Sequence, residues 1–324
     1  MILVTGGLGF IGSHTARALL DRGVSCVLVQ RRPPGPPPAL LTEPRGAARV
    51  HVEQADLADT EALRRVAARH GVTGVVHLAP SAPWPPGAPA PVEAARDALA
   101  GLLNVVQVAA ERQVSRVVVA STIGVYAGTP ATAGPLREDL PLRMGAGHVI
   151  PTFKKVGELL AAHLGEATGV EVVSARIAGV WGPLGRPVSP FFALPQLVHA
   201  AARGVAPDLS ALHAPPRAGQ GADLVHAADC GRALALLQLA PRLGHRTYNV
   251  ASGRITTYAE VLEVLARLAP QVPLALPPGR DPAAGPDVRL DVTRLREDTG
   301  YAPGYDTAGG LADYLAWLRA GNPR

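Results

Sequence analysis

The chain opens on Met1-Ile-Leu-Val-Thr-Gly-Gly-Leu-Gly-Phe-Ile-Gly12, and this stretch decides the fold. Its apolar run, Ile2–Val4, is typical of a buried strand in a parallel sheet. The run ends at Thr5-Gly6-Gly7, and apolar residues at helical spacing continue from Phe10 to Leu20. Glycines at positions 6, 9 and 12 give the spacing at which a backbone can approach a pyrophosphate lying on a helix N-terminus. The opening therefore predicts a dinucleotide site between the first strand and the first helix.

Strands and helices alternate through the first half of the chain. The expected strands are Ile2–Val4, Cys26–Val29, Ala48–Val52, Gly74–Leu78, Arg116–Ala120 and Glu171–Arg176. The expected helices are Phe10–Leu20, Thr60–Arg69, Val92–Arg112 and Pro151–Leu164. This order predicts a parallel sheet whose crossover connections are right-handed.

The pattern loosens after Trp181-Gly182-Pro183 into loops and short helices, with one apolar segment from Phe191 to Ala201. We therefore predict an α/β fold: a Rossmann doubly wound parallel sheet with a smaller C-terminal substrate-binding lobe over the carboxyl ends of the strands. Residues 1–178 would form the dinucleotide-binding Rossmann domain. Residues 179–324 would form mainly the lobe, with the chain returning to the sheet near 223–252. Two proline-rich stretches, Pro33–Pro38 and Pro83–Pro91, are interpreted as stiffened loops.

Composition excludes several classes of protein. The net charge of +5 is spread along the chain rather than blocked, which argues against nucleic acid as a partner. No apolar run approaches the roughly 18 residues of a membrane span, so no membrane association is expected. The two cysteines, Cys26 and Cys230, lie far apart in apolar segments, as in a reducing cytoplasm. The chain starts directly with a strand, so we expect a cytoplasmic protein with no signal peptide, and no metal site is predicted.

The whole chain resembles the extended short-chain dehydrogenase/reductase family, which contains nucleotide-sugar epimerases, dehydratases and some reductases. The matching motifs run from end to end in the family's order. They are Thr5–Gly12, Asp56-Leu57, Val75–Ala79, Ala120–Tyr126, Arg176–Pro183, Leu224–His226 with Asp229, Tyr248–Gly253 and Trp317. The resemblance implies the Rossmann fold and a nicotinamide cofactor.

The end of the second strand bears on which cofactor is used. Family members that prefer NAD place an acid there for the ribose 2′-hydroxyl, whereas this chain has Gln30-Arg31-Arg32. Two guanidinium groups suit a 2′-phosphate, so we predict NADP (NADPH), although the arginines could simply be solvated. The residues expected to bind the cofactor are Gly6, Gly7, Leu8, Gly9, Phe10, Ile11, Gly12, Gln30, Arg31, Arg32, Asp56, Leu57, Leu78, Ala79, Ala120, Lys154 and Ile177.

The catalytic positions depart from the family's pattern. The family uses a Ser or Thr after the fifth strand and then Tyr-x-x-x-Lys, in which Tyr transfers the carbonyl proton and Lys holds the nicotinamide ribose. Thr122 and Lys154 match the first and last of these positions, and Ile150 occupies the usual Tyr position. Lys154 and Lys155 are the only lysines in the chain. We expect Lys154 to bind ribose and Lys155 to lie on the surface.

Isoleucine cannot transfer a proton, and general acid catalysis is worth ~10²–10⁴ in rate, so another proton source is needed. Thr122 could orient a carbonyl oxygen but is a poor acid by itself. The alternatives are His148 just before the helix, water, or a hydroxyl group of the substrate beside the reacting ketone.

Two further positions bear on the substrate. In nucleotide-sugar members an Asn and an Arg help to hold the diphosphate, and Gly179 and Ala222 stand in their places. Apolar residues of the lobe, including Leu194 and Leu197, are either plain core or a pocket for a flat apolar substrate. The residues expected to bind substrate are Trp84, Thr122, Ile123, Ile150, Gly179, Trp181, Phe191 and Phe192.

Three functions compete at this point. The first is an NADPH-dependent ketoreductase that reduces a carbonyl of an aromatic, angucyclinone-like polyketide in antibiotic biosynthesis, with the proton supplied by substrate or water. The second is a nucleotide-sugar epimerase or dehydratase, and the third is a non-catalytic NADP-binding sensor. The missing tyrosine and the missing diphosphate ligands favour the first. A homodimer through the helices Val92–Arg112 and Pro151–Leu164 is a further prediction.

Overall fold

A computed structural model describes residues 1–33, 35–42, 49–79, 91–129, 134–145 and 147–322. Its strands are β1 (Ile2–Thr5), β2 (Cys26–Gln30), β3 (Val50–Gln54), β4 (Gly74–His77), β5 (Arg116–Thr122), β6 (Glu171–Ile177), β7 (Gly179–Trp181), β8 (Gly221–Ala222), β9 (Leu224–His226), β10 (Thr247–Val250) and β11 (Thr256–Thr257). Its helices are α1 (Phe10–Asp21), α2 (Thr60–Arg69), α3 (Pro91–Glu111), α4 (Val149–Thr168), α5 (Leu194–Arg203), α6 (Ala227–Leu239), α7 (Tyr258–Leu268), α8 (Thr293–Thr299) and α9 (Thr307–Arg319).

Seven strands form one sheet in the order β10-β6-β5-β4-β1-β2-β3. Every neighbouring pair in it is parallel. The order reverses beside β1, so ligands are expected at the carboxyl ends of β1 and β4. The prediction of an α/β Rossmann fold with a parallel sheet is confirmed.

Alternate residues of each central strand supply two hydrophobic cores, because helices cover both faces of the sheet. Val4 and Leu28 pack with α1 and α6 on one face. Leu3 and Val27 pack with α2, α3 and α4 on the other. Both cysteines are free and buried.

The fourth helix is longer than the expected Pro151–Leu164, for local reasons at both ends. The His148 ring accepts a hydrogen bond from the Ile150 N–H and so caps the helix one residue before Val149. Pro151 is tolerated in the first turn, where its missing N–H has no partner to lose. Gly169 ends the helix in the left-handed conformation, at φ +75°.

The third strand also differs, since it runs over Val50–Gln54 instead of Ala48–Val52. Residue 48 lies outside the described residues.

Other predicted features also lie outside the described residues. They are Trp84, position 34 of the first proline-rich stretch and most of the second stretch. The last residue of the second stretch, Pro91, begins α3. No helix within the described ranges is long and apolar enough to cross a bilayer.

The C-terminal part has a core of its own, built from β7, α5, α7 and α9 around Trp181 and Leu197. The chain then contributes to the main sheet again, because β10 pairs with β6. Helix α6 packs on α1 so closely that a Cβ on Gly231 would lie 2.4 Å from the carbonyl carbon of His14 and 2.7 Å from the amide nitrogen of Thr15. The interface between these two helices therefore requires glycine at that point.

We predict that Gly231→Ala lowers the free energy of unfolding by about 1–3 kcal/mol, because the new methyl group meets backbone that cannot move aside. Gly157→Ala in α4 is the matched control, since its Cβ would meet only Leu102 Cδ2, at 3.6 Å. That control should be neutral or up to about 1 kcal/mol more stable, because alanine loses less backbone entropy than glycine in a helix. Urea unfolding measures both. Equal midpoints for the two variants would contradict the close contact.

Candidate active site

The glycine-rich turn forms a cradle between β1 and α1. Gly6 has φ +66°, and a Cβ on it would lie 3.2 Å from the amide nitrogen of Ala79. A Cβ on Gly12 would lie 2.2 Å from the carbonyl oxygen of Gly6, so the turn is pressed against the helix. Gly9 is the N-cap of α1 and provides no side-chain cap. The first N–H groups of α1 can therefore serve an anion, and a dinucleotide pyrophosphate fits this site. Leu8, Phe10 and Ile11 line the turn as partly buried residues, beside buried Gly7.

Thr5 joins the carboxyl ends of β1 and β4. Its Oγ1 accepts hydrogen bonds from the amides of Leu78 and Ala79, both at 3.1 Å. It also lies 2.9 Å from Nδ1 of His77. Because the hydroxyl has a single hydrogen and both amides donate to it, that hydrogen goes to His77 Nδ1. The ring is therefore neutral, with its own hydrogen on Nε2.

The other expected cofactor positions follow β3 or lie at the end of β6. Asp56 is exposed and accepts from the amide of Ala58 at 3.0 Å. The carbonyl of Leu57 accepts from the side-chain amide of Asn104 at 2.8 Å. Ile177 is buried at the end of β6.

Two exposed arginines follow β2 on a turn that is fixed by hydrogen bonds. The side-chain amide of Gln30 donates to the carbonyl of Arg32 at 3.0 Å, and that of Gln54 donates to the carbonyl of Arg31 at 3.1 Å. These bonds hold the backbone of both arginines while their guanidinium groups face solvent. The edge of the sheet next to the cradle is thus positively charged.

The expected catalytic residues meet at the carboxyl end of β5. Lys154 Nζ donates to the carbonyl oxygen of Ala120 at 2.6 Å. Thr122 ends the strand, and its Oγ1 accepts from the amide of Gly124 at 3.2 Å, which leaves the hydroxyl hydrogen for another acceptor. Ile150 lies one turn before Lys154 on the same face of α4. Burial lowers the pKa of Lys154 to about 8, although the charge of Glu158 raises it.

Glu158 anchors α4 to the sheet, and its two partners are residues next to the site that sequence reasoning did not single out. Arg176 of β6 binds the Glu158 carboxylate through Nη2 at 2.7 Å and through Nε at 3.0 Å. Ser121 of β5 donates to the same carboxylate. Arg176 also donates to Tyr126 Oη at 2.9 Å. A charged residue near the buried end of a strand that also carries Val172, Val173 and Ile177 was the available signal for Arg176. We call Arg176, Glu158 and Ser121 the helix clamp.

The expectation that Lys155 lies on the surface is wrong. Its side chain is only 6% exposed and donates to the carbonyls of Arg143 and Gly145. The helix buries this lysine because the loop that leads into α4 folds back over it and offers two carbonyl acceptors. Lys155 therefore holds the segment that ends at His148.

The lobe residues expected to bind substrate have different surroundings. Trp181 is 4% exposed and belongs to the lobe core, as do Leu194 and Leu197. Phe192 packs partly buried against that core, and Ile123 packs against the core of the main sheet. Phe191 is 55% exposed, and its ring contacts those of His148 and His213 at centroid distances of 5.9 and 5.3 Å.

The two substituted diphosphate positions lie in short strands. A Cβ on Gly179 would lie 2.7 Å from Leu224 Cδ2, so a larger residue at this position would require the Leu224 side chain to move. Ala222 pairs with Thr256 in the β8–β11 ladder.

An open cleft of about 330 Å³ in the lobe was not predicted from the sequence. We call it the lobe cleft. Its walls come from two segments far apart in the chain and consist of Leu209, Ser210, Leu212, Pro215, Pro216, Ala275, Leu276 and Pro277. The segments are joined by backbone hydrogen bonds from Ala218 to Pro277 and from Gly219 to Gly279.

Two arginines stand where these segments join. Arg217 donates to the carbonyl of Pro278 at 3.2 Å, and Arg280 donates to the carbonyl of Gly219 at 3.0 Å. Arg280 is also paired with Asp287. The apolar walls of the cleft therefore lie next to the guanidinium group of Arg217 and to an Arg280 that is already paired with Asp287.

Comparison with known proteins gives consistent results. Residues 2–251 match the model of the NAD dependent epimerase/dehydratase family. A UDP-glucose 4-epimerase from Azospirillum brasilense is 29% identical over 335 residues, covering 98% of this chain and 92% of that protein. A dTDP-glucose 4,6-dehydratase from Streptomyces griseus is 29% identical over 325 residues, covering 98% and 93%.

Solved structures of similar fold include nucleotide-sugar epimerases as well. The UDP-glucose 4-epimerase of Thermus thermophilus in complex with NAD is 27% identical with a TM-score of 0.75, covering 98% of both chains. A UDP-N-acetylglucosamine 4-epimerase from Methanobrevibacter ruminantium shares the fold with a TM-score of 0.80 at 22% identity, over 99% of this chain and 98% of that one.

These relatives overturn the first functional expectation. The prediction of a ketoreductase acting on an aromatic, angucyclinone-like polyketide is wrong, because the proteins that match along nearly the whole chain are nucleotide-sugar epimerases and dehydratases. That prediction relied on the missing tyrosine at position 150 and on the diphosphate ligands absent at Gly179 and Ala222. The structure has cations elsewhere, at Arg217 and Arg280.

We predict that Lys155→Met loosens the loop before α4, since two carbonyls lose a charged donor and each such bond is worth about 1.5–3 kcal/mol. Trypsin should then cleave after exposed Arg143 at least about tenfold faster, as followed by mass spectrometry. Glu166→Gln, on the exposed surface of the same helix, is the control and should match the wild type. Unchanged cleavage in Lys155→Met would show that the buried lysine does not hold this loop.

Proposed function

Because the chain belongs to the NAD-dependent epimerase/dehydratase family, we propose that it is an enzyme that oxidises a ring hydroxyl of a nucleotide sugar for epimerisation or dehydration. The lobe cleft carries this proposal. Its volume of about 330 Å³ lies within the range of small-molecule sites. Leucine and proline walls suit the faces of a nucleobase, and Arg217 next to them suits a diphosphate as a cationic donor, while Arg280 is already paired with Asp287.

Gly179 and Ala222 replace the Asn and Arg that hold the diphosphate in nucleotide-sugar members, so positive charge must come from other residues. A diphosphate needs donors and positive charge, but it does not need them from those two positions. Arg217 and Arg280 lie where the two wall segments join, each bound to a carbonyl of the other segment. Their guanidinium groups are thereby held in place, which reduces the entropy lost when a ligand binds.

A path of side chains connects the lobe cleft with the catalytic helix. His213 follows Leu212 of the cleft wall and contacts Phe191, which contacts His148 at the cap of α4. A nucleotide sugar with its base in the cleft can therefore have its sugar directed towards Thr122 and Lys154. In this proposal Thr122 orients the reacting oxygen through its hydroxyl hydrogen.

The cofactor in this proposal is NADP. The glycine turn and the N-terminus of α1 would hold the pyrophosphate, Arg31 and Arg32 would bind the 2′-phosphate, and Lys154 would bind the nicotinamide ribose. When bound, a nicotinamide supplies the acceptor or donor of hydride. The solved relative from Thermus thermophilus contains NAD, whereas the turn after β2 in this chain presents two guanidinium groups and no carboxylate.

The homodimer stays a prediction. Helices α3 and α4 leave Leu103, Val156 and Leu159 between 36% and 59% exposed, as a helical interface with a second copy would require.

We predict that UDP-glucose or dTDP-glucose binds the wild type and that Arg217→Gln weakens this binding about 10- to 100-fold, because a charge-assisted hydrogen bond is worth about 1.5–3 kcal/mol. NADPH binding should be unchanged. Isothermal titration measures both affinities. Arg22→Gln, an exposed arginine at the far end of α1, is the matched control and should bind both ligands normally.

Turnover is measured by incubating the protein with a panel of nucleotide sugars and NADP. Dehydration removes one water, which mass spectrometry detects, and epimerisation leaves the mass unchanged but alters the NMR couplings of the sugar. If the protein binds a nucleotide sugar but forms no product, it is a binding protein and not an enzyme. The isoleucine at position 150 agrees with that alternative, the non-catalytic sensor. Absence of both binding and turnover across the panel would rule the proposed function out.

We also predict that NADPH binds at least about tenfold more tightly than NADH, and that Arg31→Ala with Arg32→Ala removes this preference. The physical reason is the loss of two cations that could face the 2′-phosphate. Fluorescence titration with both dinucleotides measures the ratio, with Arg22→Gln again as the control. Equal affinities in the wild type would assign the chain to NAD.

A further inference from the structure

We propose that Lys154 takes over the work of the absent tyrosine and accepts the proton of the substrate hydroxyl on its own amine. This inference rests on the proposed function, because it needs a substrate that carries a reacting hydroxyl. It makes Lys154 a proton carrier in addition to a ligand of the cofactor ribose.

The first step of the argument is the position of Ile150. It lies four residues before Lys154 on one face of α4, so the two side chains emerge next to each other. The isoleucine has no proton to exchange. The lysine is anchored at 2.6 Å to the carbonyl of Ala120, two residues before Thr122, and this places its amine at the carboxyl end of β5.

The second step is the surroundings of the amine. Glu158 is the carboxylate that follows one turn later on α4, but it is bound by Arg176 and Ser121. Its charge is therefore shared with a buried guanidinium, and it stabilises the ammonium only in part. Burial consequently prevails and lowers the pKa of Lys154 to about 8. A group that titrates close to the working pH is well suited to move protons.

His77, on the neighbouring strand β4, does not compete for the proton. The Thr5 hydroxyl donates to its Nδ1, which keeps the ring in the neutral form. Burial, together with the nearby charge of Lys154, lowers the pKa of His77 to about 3. The imidazole therefore remains uncharged while Lys154 titrates.

Two other groups on or near α4 are committed to structure. His148 uses Nδ1 to cap the helix, at 3.2 Å from the Ile150 amide, and its ring packs against Phe191. Lys155 is buried with its amine bound to the carbonyls of Arg143 and Gly145. At this strand end, burial lowers the pKa of Lys154 to about 8, so the charge of its amine can change near neutral pH.

The step balances as follows. The substrate O–H bond breaks and an N–H bond forms on the neutral amine of Lys154, while the C–H bond of the carbon that bears this hydroxyl gives its hydride to a nicotinamide cofactor, the oxidant. The products are a ketone, an ammonium and the reduced nicotinamide, and re-reduction of the ketone reverses both transfers. Oxidation therefore needs the neutral amine, and its rate should rise as the pH passes through about 8.

Because the chain has only two lysines, the amine can be followed without turnover. Competitive labelling with acetic anhydride across a pH series, read by mass spectrometry, should give Lys154 a midpoint near 8. Ala162→Lys adds an exposed reference on the same helix, which should titrate near the ordinary value of about 10.4. A Lys154 midpoint that coincides with the reference would overturn the inference whatever the substrate is.

Variants of Lys154 separate its role in proton transfer from the effect of its positive charge. Lys154→Arg keeps the cation but cannot release its proton, so NADPH affinity should change less than about threefold while turnover falls about 100-fold or more. The double variant Ile150→Tyr/Lys154→Arg should recover at least about tenfold of that loss, because a phenol then carries the proton. Glu166→Gln is the activity control.

The outcomes distinguish the two proposals. Full turnover in Lys154→Arg, or parallel losses of turnover and NADPH binding, would overturn the proton role and leave the nucleotide-sugar enzyme standing. If the wild type turns over no nucleotide sugar, the proposed function fails, and the labelling midpoint alone decides whether Lys154 is a proton-exchanging amine.

Discussion

The ion pair between Arg176 and Glu158 is the interaction on which the site depends. It is almost completely buried, with side chains 6% and 11% exposed, and Ser121 completes the binding of the carboxylate. Removing one partner of such a pair leaves an uncompensated buried charge, which typically costs about 3–5 kcal/mol. The pair joins β6 to α4, and the serine adds β5. The ion pair and the serine hydrogen bond therefore fix the distance from the end of β5 to the Lys154 amine. Apolar contacts alone are less directional and would allow the helix to shift along the sheet.

The same arginine extends the network towards the lobe. Tyr126 receives a hydrogen bond from Arg176 and donates to the side-chain oxygen of Asn249 at 2.8 Å. Asn249 in turn donates to the carbonyls of Leu136 and Asp291, each at 2.9 Å. Asp291 immediately precedes the segment that begins α8, so a shift of α4 would be felt in the C-terminal part. A network of this kind fixes one arrangement because every buried polar group in it would lose a partner in another.

Local signals explain what could be predicted from the sequence. The strand Ile2–Thr5, the glycine turn and the helix that follows are determined by neighbouring residues, and the order of the remaining strands follows from the alternation and from the handedness of crossovers. Long-range contacts explain what could not. The lobe cleft forms only when 209–216 meets 275–277, and Lys155 is buried only because Arg143 and Gly145 fold over it. The error about function had a similar origin. The sequence shows that positions 179 and 222 lack the family's Asn and Arg, but it does not show that Arg217 and Arg280 meet where the walls of the lobe cleft join.

Position 150 shows how one substitution can change the role of another residue. A tyrosine beside a lysine benefits from a permanent ammonium, because that charge stabilises the phenolate. An isoleucine offers no such anion, and it adds apolar surface next to the amine. Because the Glu158 carboxylate is already bound by Arg176, it stabilises the Lys154 ammonium less. Burial then lowers the pKa of Lys154 to about 8. The substitution that removes one proton carrier therefore stands one turn before a buried amine, and it is the burial of that amine, with no new hydrogen bond, that fits Lys154 to the role we propose for it.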